Sequence, residues 1–264
     1  MFPSFEEISR QIKEKQYAVI PLVIPHDTFQ KAMEVFVDFL SLPQETKDSI
    51  YFQVEPGARG TEVGYKLYKR DLGNTDNREY FHYHAAADER FAAGVEKISQ
   101  LKKLLGAMKP IYQEASNALS KVMLQFETKF PGIHEKFFPK GHYPRFYLRF
   151  LKYDRLTPGE FLAKGHYDRG SCTLALAESA PGLRMGLNEQ TLHDVIHDEG
   201  RALFMPGLKF AEVTSNEFPP TWHDVVQKTD IGYREDIARW AIVFFADCSS
   251  MKDVTYEQAH TPRA

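Results

Sequence analysis

Apolar residues recur at helical spacing in two blocks near the start of the chain. Phe5 to Lys15 is the first. His26 to Leu40 is the second, with Phe29, Met33, Phe36, Val37 and Leu40 marking one face. Between them, Tyr17 to Ile24 reads as a short buried strand, and Pro21 places it near a sheet edge. Pro43 to Tyr83 shows no sustained period and reads as a long loop with short strands, of the kind that often carries function. The clearest helical stretch is Asp88 to Lys129. Val95, Ile98, Leu101, Leu104 and Leu105 form a stripe that Ile111, Ala115, Leu119, Met123 and Phe126 continue. Pro110 should kink or break it, and Pro131-Gly132 should end it.

The period changes from Arg145 onward. Phe146–Tyr153, Ser171–Ala177, Gly182–Gly186, Ala202–Met205, Lys209–Thr214 and Arg239–Phe245 read as strands separated by Gly, Pro, Asp and Asn turns. Many short strands at such spacing predict a barrel or sandwich. No internal repeat, low-complexity tract or linker divides the chain. The expectation is one α+β domain over residues 1–264, in which 1–144 is mostly helix and loop and 145–247 forms a β core.

Composition narrows the function classes. The 264 residues carry a formal net charge of −3, which argues against a general nucleic-acid binder. No apolar run approaches the ~20 residues a membrane helix needs. Met1 to Glu14 carries charges where a signal peptide would need an apolar stretch. The two cysteines, Cys172 and Cys248, form no Cys-x-x-Cys pair and read as buried small hydrophobes. These features predict a cytoplasmic enzyme or binding protein acting on a small molecule. They leave oligomeric state open.

Ten histidines invite a search for metal ligands. His166-Tyr-Asp168 has His-x-Asp spacing, and on a strand or at its end residues i and i+2 point the same way. With 10 His and 36 acids in the chain, chance alone gives about 1.4 His-x-acid pairs, and two are present. The other, His197-Asp-Glu199, lies in a polar segment that reads as a solvated hairpin turn. A third ligand from a distant strand would complete a 2-His-1-carboxylate facial triad, which suits non-haem Fe(II) oxygenases. His223, after the turn-rich stretch Asn216 to Thr221, is the candidate. Arg239 opens the strand Arg239–Phe245, and a buried arginine there needs an anion. The anion is either a ligand carboxylate gripped by the guanidinium fork or an internal acid such as Asp168 or Asp247. His82 and His84 form a second i, i+2 pair without a nearby carboxylate and read as loop residues at a cavity mouth. Gly64 to Arg70 is basic and aromatic and reads as a substrate-facing flap or plain surface. Tyr65, Arg70 and Arg149 are candidates for contacting an acidic substrate.

Taken in order along the chain, these segments resemble the iron/2-oxoglutarate oxygenase family that includes isopenicillin N synthase. The resemblance rests on Leu148–Tyr153, His166-Tyr-Asp168, Ser171–Leu176, Gly182–Met185, Leu203–Gly207, Val213–Asn216, His223-Asp-Val225 and Arg239-Trp-Ala241, with fainter likeness at Gly64-Tyr65 and Asn77–Phe81. It implies a double-stranded β-helix, or jelly roll, with flanking helices. It implies Fe(II) held by His166, Asp168 and His223, 2-oxoglutarate as cosubstrate with its distal carboxylate on Arg239 and Tyr153, and O2 as oxidant. The implied reaction oxidises a small-molecule C–H bond and releases succinate and CO2. The chain departs from the family's pattern at Ala241, where a serine is usual, at Leu151, where an asparagine is usual, and at Asp224, where an arginine is usual. The alternatives are an Fe(II) oxidase of isopenicillin N synthase type that uses no 2-oxoglutarate, and a catalytically silent jelly-roll binding protein.

Overall fold

The computed structural model describes residues 2–25, 27–51, 63–70, 76–229, 232–248 and 255–262. Helix α1 (Phe5–Lys15) starts where the Ser4 side chain accepts from the Glu7 amide, and Glu6 and Glu7 complement the positive end of its dipole. It stops at Gln16, whose φ of 69° is left-handed. Strand β1 (Ala18–Pro21) follows and lies at a sheet edge, where a proline costs no ladder hydrogen bond. Helices α2 (Thr28–Leu40) and α3 (Gln44–Asp48) come next. Parts of the predicted loop Pro43 to Tyr83 fall outside the described residues. The remainder is more regular than expected: β2 (Gly64–Tyr68) and β3 (Arg78–Tyr83) form an antiparallel pair.

The helical stretch is divided, but not at the proline. Helices α4 (Ala87–Arg90) and α5 (Ala92–Lys97) are short, and α6 (Ser99–Glu127) runs through Pro110 without ending. An interior proline costs about 3 kcal/mol. Leu104, Leu105 and Met108 before it, with Ile111 and Tyr112 after it, are all buried, at about 1.5–3 kcal/mol for each large side chain. Burial wins. After Gly132, in the left-handed region at φ 82°, comes α7 (Ile133–Phe137).

The β core alternates between two sheets. Strands β4 (Arg145–Asp154), β6 (Cys172–Glu178), β9 (Arg201–Pro206) and β11 (Ile237–Asp247) join β1, β2 and β3 in a seven-stranded sheet, ordered β1-β9-β6-β11-β4-β3-β2. Strands β5 (Phe161–Tyr167), β7 (Leu183–Gly186), β8 (His193–Asp194) and β10 (Trp222–Val226) form the second sheet, ordered β5-β10-β7-β8. All the strand pairs are antiparallel, and the chain crosses from sheet to sheet between β4 and β11. This is the jelly roll.

Both faces of the large sheet are covered, and its central strands β6 and β11 are mostly apolar in both phases of the pleat. Phe146, Leu148, Phe150, Ile242 and Phe244 face the helices, joining Phe36, Met108, Leu119 and Phe126 in one core. The opposite phase, including Leu151, Tyr153, Ala175, Met205 and Ala241, faces the small sheet in a second core.

One predicted strand is a helix. Lys209–Thr214 lies mostly in α8 (Leu208–Val213). The reason is local. The amides of Gly207, Leu208 and Lys209 donate to the carbonyls of Ser171, Asp168 and Gly170, at 2.8, 3.0 and 3.2 Å. Amides at a helix start have no partner within the helix, and the 168–171 loop supplies acceptors. A short C-terminal helix, α9 (Tyr256–His260), contacts β5. Among the described residues no helix is long and apolar enough to cross a membrane.

Candidate metal and anion site

His166 sits on β5 and His223 on β10, directly opposite one another in the antiparallel register. Neither strand is evident as such in the apolar pattern. Asp168 lies just past the end of β5. Nitrogen and carboxylate atoms of the three residues all fall within 4.8 Å of one another. His166 Nε2 is 3.9 Å from one Asp168 oxygen, and His223 Nε2 is 3.9 Å from the other. The three residues expected to act together are therefore adjacent.

The donor set fits a divalent cation. Each histidine turns Nδ1 toward a backbone carbonyl, Lys164 O at 2.8 Å for His166 and Thr221 O at 3.3 Å for His223. That places the proton on Nδ1 and aims the Nε2 lone pair into the site, as in imidazoles that bind a metal through Nε2 while donating Nδ1–H to a carbonyl. Burial, then the neighbouring His223, pushes the His166 imidazole down to about 3. Burial alone would raise Asp168, but the two imidazoles and the Thr173 hydroxyl, which donates to it at 2.5 Å, keep its carboxylate below the ordinary range. Two imidazole nitrogens and one carboxylate thus converge.

The surrounding backbone holds this geometry. A Cβ at Gly165 would lie 2.7 Å from the Trp222 ring, and one at Gly207 would lie 2.4 Å from the Gly170 carbonyl. Behind the loop, Asp247 accepts from Ser171 Oγ at 2.9 Å and from the buried Lys209 Nζ at 2.6 Å. Of the internal acids offered as alternatives for Arg239, Asp247 is thus engaged by Ser171 and Lys209 and Asp168 by Thr173.

Arg239 is 3% exposed, lines the same cavity as the triad, and faces Tyr153 across the β4–β11 pair. Its Nη2 pairs with Glu178 and its Nε donates to Ala180 O at 2.9 Å. Glu178, which the sequence reading missed, lies opposite Ala241 in the β6–β11 register. The small side chain at 241 stands beside the acid that occupies the arginine's fork. Arg78, also missed, faces Tyr153 from β3, lies 3.4 Å from Asp76, and has a buried Nε with no hydrogen-bond partner.

The other candidates divide. Arg149 lines the cavity. Tyr65 does not: it is fully buried on the helix side, against Phe39. Arg70 reaches the Phe161 carbonyl at 2.8 Å, outside the cavity lining. His82 and His84 are buried rather than loop residues at a mouth. His84 uses both ring nitrogens, on Pro144 O and the Ala86 amide, and His82 accepts from Arg149. The decoy His197 lies just before the turn at 199–200, its Nε2 on the Arg201 carbonyl. Cys172 and Cys248 are buried as expected, and burial pushes both thiols up.

No family model and no curated protein sequence matches this chain. Solved structures do. A full-length Neurospora crassa protein in complex with alpha-KG shares 17% identity at a TM-score of 0.70, covering 94% of this chain and 80% of that one. JOX2 in complex with 2OG, Fe and JA gives 15% and 0.69, covering 96% and 74%. The dioxygenase for auxin oxidation 1 from Arabidopsis thaliana, as its 2-oxoglutarate complex, gives 14% and 0.70, covering 99% and 97%. At these identities the likeness establishes architecture: the chain has the jelly-roll fold of the 2-oxoglutarate/Fe(II) oxygenases.

Proposed function

We propose that this protein is an Fe(II)- and 2-oxoglutarate-dependent dioxygenase that oxidises a C–H bond of a small molecule. The observation that carries the reading is the convergence of His166, Asp168 and His223 in the cavity that Arg239 and Tyr153 also line. His166, Asp168 and His223 would hold the metal, and three ligands leave coordination positions for cosubstrate and O2. Bound there, the ferrous ion and 2-oxoglutarate would supply O2 activation coupled to loss of CO2 and formation of succinate.

The protein's own residues bind, orient and exclude water. Thr173 fixes the Asp168 carboxylate, and the backbone carbonyls of residues 164 and 221 fix the imidazole faces. Leu183, Met205, Val225 and Val243 give the cavity apolar walls. Such walls strengthen the electrostatics inside and keep a reactive site from bulk water. Arg239 would take the distal carboxylate of 2-oxoglutarate, in the place Glu178 now fills, with Tyr153 beside it. JOX2, a protein of the same fold, has been solved with 2OG, Fe and a third small molecule bound together.

The reading is tested by anaerobic Fe(II) titration. The wild-type chain should take one iron, and His166→Ala and His223→Ala none. Titration calorimetry of the iron-loaded protein should then show 2-oxoglutarate binding that Arg239→Gln removes. Iron binding without 2-oxoglutarate binding would favour the cosubstrate-free oxidase, for which the Glu178–Arg239 pair and Ala241 are the supporting observations. No iron binding would leave a non-catalytic binding protein.

A further inference from the structure

Three arginines line the cavity, and they are not equivalent. Arg239 faces the carboxylate of Glu178, and Arg78 faces that of Asp76. Arg149 makes no ion pair among the described residues. Its Nε donates to the neutral His82 ring at 2.7 Å, and burial followed by the charges of Arg149, Lys66 and Arg78 drives the His82 imidazole well below its usual value. Its guanidinium lies 4.8 Å from the Tyr80 ring centroid and 4.5 Å from that of Phe245. Aromatic faces hold a cation in position without neutralising it. The fork is thus fixed on one edge, and its remaining donors meet no anion among the described residues.

Placement makes Arg149 a separate anion locus. On β4 it is four residues from Tyr153, the partner of Arg239, which is about 13 Å along an extended strand. It pairs with Val243, one of the apolar wall residues, and its charge is felt at Asp168. The same cavity is lined by the apolar side chains of Ala175, Met205, Val243 and Phe245. A positively charged fork sharing a cavity with apolar side chains is complementary to a carboxylate on an apolar body.

We propose that Arg149 binds the carboxylate of the substrate, and that the substrates are small monocarboxylic acids with an apolar body. The assignment deepens the oxygenase reading and rests on it for the location of the reacting centre.

The test uses anaerobic Fe(II)-loaded protein saturated with 2-oxoglutarate, titrated with 3-phenylpropionate and hexanoate and with their primary amides. The acids should bind about 5–30 times more tightly than the amides, since a hydrogen bond to a charged group exceeds a neutral one by ~1–2 kcal/mol. Arg149→Gln should erase that preference and leave 2-oxoglutarate affinity within about twofold of wild type. Arg149→Lys, which keeps the charge but not the fork, should fall between them. The acid–amide comparison on the wild-type protein stands even where a variant fails to fold. Equal binding of acid and amide, no binding of either, or an Arg149→Gln protein that still prefers the acid would overturn the proposal. So would an Arg149→Gln protein that loses 2-oxoglutarate instead, because Arg149 would then serve the cosubstrate. Failure of the wild-type protein to bind Fe(II) or 2-oxoglutarate refutes the oxygenase reading separately. In that case an acid preference abolished by Arg149→Gln would still support the anion site.

Discussion

Glu178 and Arg239 are 9% and 3% exposed at their side chains and form an ion pair on the cavity wall. If 2-oxoglutarate uses Arg239, its carboxylate must displace that of Glu178, and every binding event loses one internal charge-assisted contact. Glu178→Gln keeps the shape and one acceptor oxygen but removes the charge. A hydrogen bond to a charged group contributes ~1.5–3 kcal/mol and a neutral one ~0.5–1.5, so the internal competitor weakens by about 1–2 kcal/mol. Because 1.4 kcal/mol is tenfold, 2-oxoglutarate should bind the variant about 5–30 times more tightly. The same free energy should appear with opposite sign in the ligand-free protein, which should be destabilised by about 1–2 kcal/mol because Arg239 is left partly uncompensated. The assay is calorimetric titration of 2-oxoglutarate into anaerobic Fe(II) protein, paired with thermal melts with and without ligand. The variant should melt lower when free and gain more from the ligand. Unchanged affinity would refute the reasoning, because Glu178 would then stay on Arg239 while the ligand binds elsewhere. Weaker affinity would mean that Glu178 orients Arg239 for the ligand rather than competing with it.

Thr173→Val removes the hydroxyl that orients Asp168 at nearly constant volume, and Fe(II) affinity measured by competition with a chelator should fall about 10–100-fold. Gly165→Ala places a methyl 2.7 Å from the Trp222 ring, so thermal denaturation should show a loss of about 1–3 kcal/mol. Buried His82 and His84 are held neutral, mainly by burial, with folded values below the usual 6.5. Below about pH 6.5 the unfolded chain therefore binds more protons than the folded one. Metal-free stability, read from denaturant titrations, should fall with acidification from pH 7 toward 5, at up to about 1.4 kcal/mol per pH unit per histidine, and stay level in the pH range just above 7.

What the chain displays openly is its packing. Helix α1 was readable to the residue because cap, dipole charges and apolar face agree. Strands β6 and β11 were readable because both faces are largely buried and the runs are mostly apolar, and β4 because Phe146, Leu148 and Phe150 recur at every second position. Strands β5 and β10, which carry both histidines, were not. Lys164, Gly165 and His166 interrupt one, and His223-Asp224 the other: the histidines face the site, Lys164 is exposed, and Asp224 pairs with Arg184. Strand β3 was hidden for the same reason: Arg78, Tyr80 and His82 are polar side chains facing the cavity side. The triad was legible through its His-x-Asp spacing and its order along the chain. The need of Arg239 for an anion was also legible, but not the identity of that anion. Glu178 lies 61 residues from Arg239 in sequence and meets it only through the β6–β11 pairing, which has an irregular register. The α8 error had a tertiary cause, since the acceptors that start that helix belong to the loop after Asp168.

The most direct test of the central claim is O2-dependent succinate production from 2-oxoglutarate by Fe(II)-loaded protein, with His166→Ala alongside. The account predicts slow succinate formation without added substrate, faster formation with a small monocarboxylic acid, and none from the variant. Succinate at the variant's level under both conditions, in a protein that binds iron stoichiometrically, would contradict it.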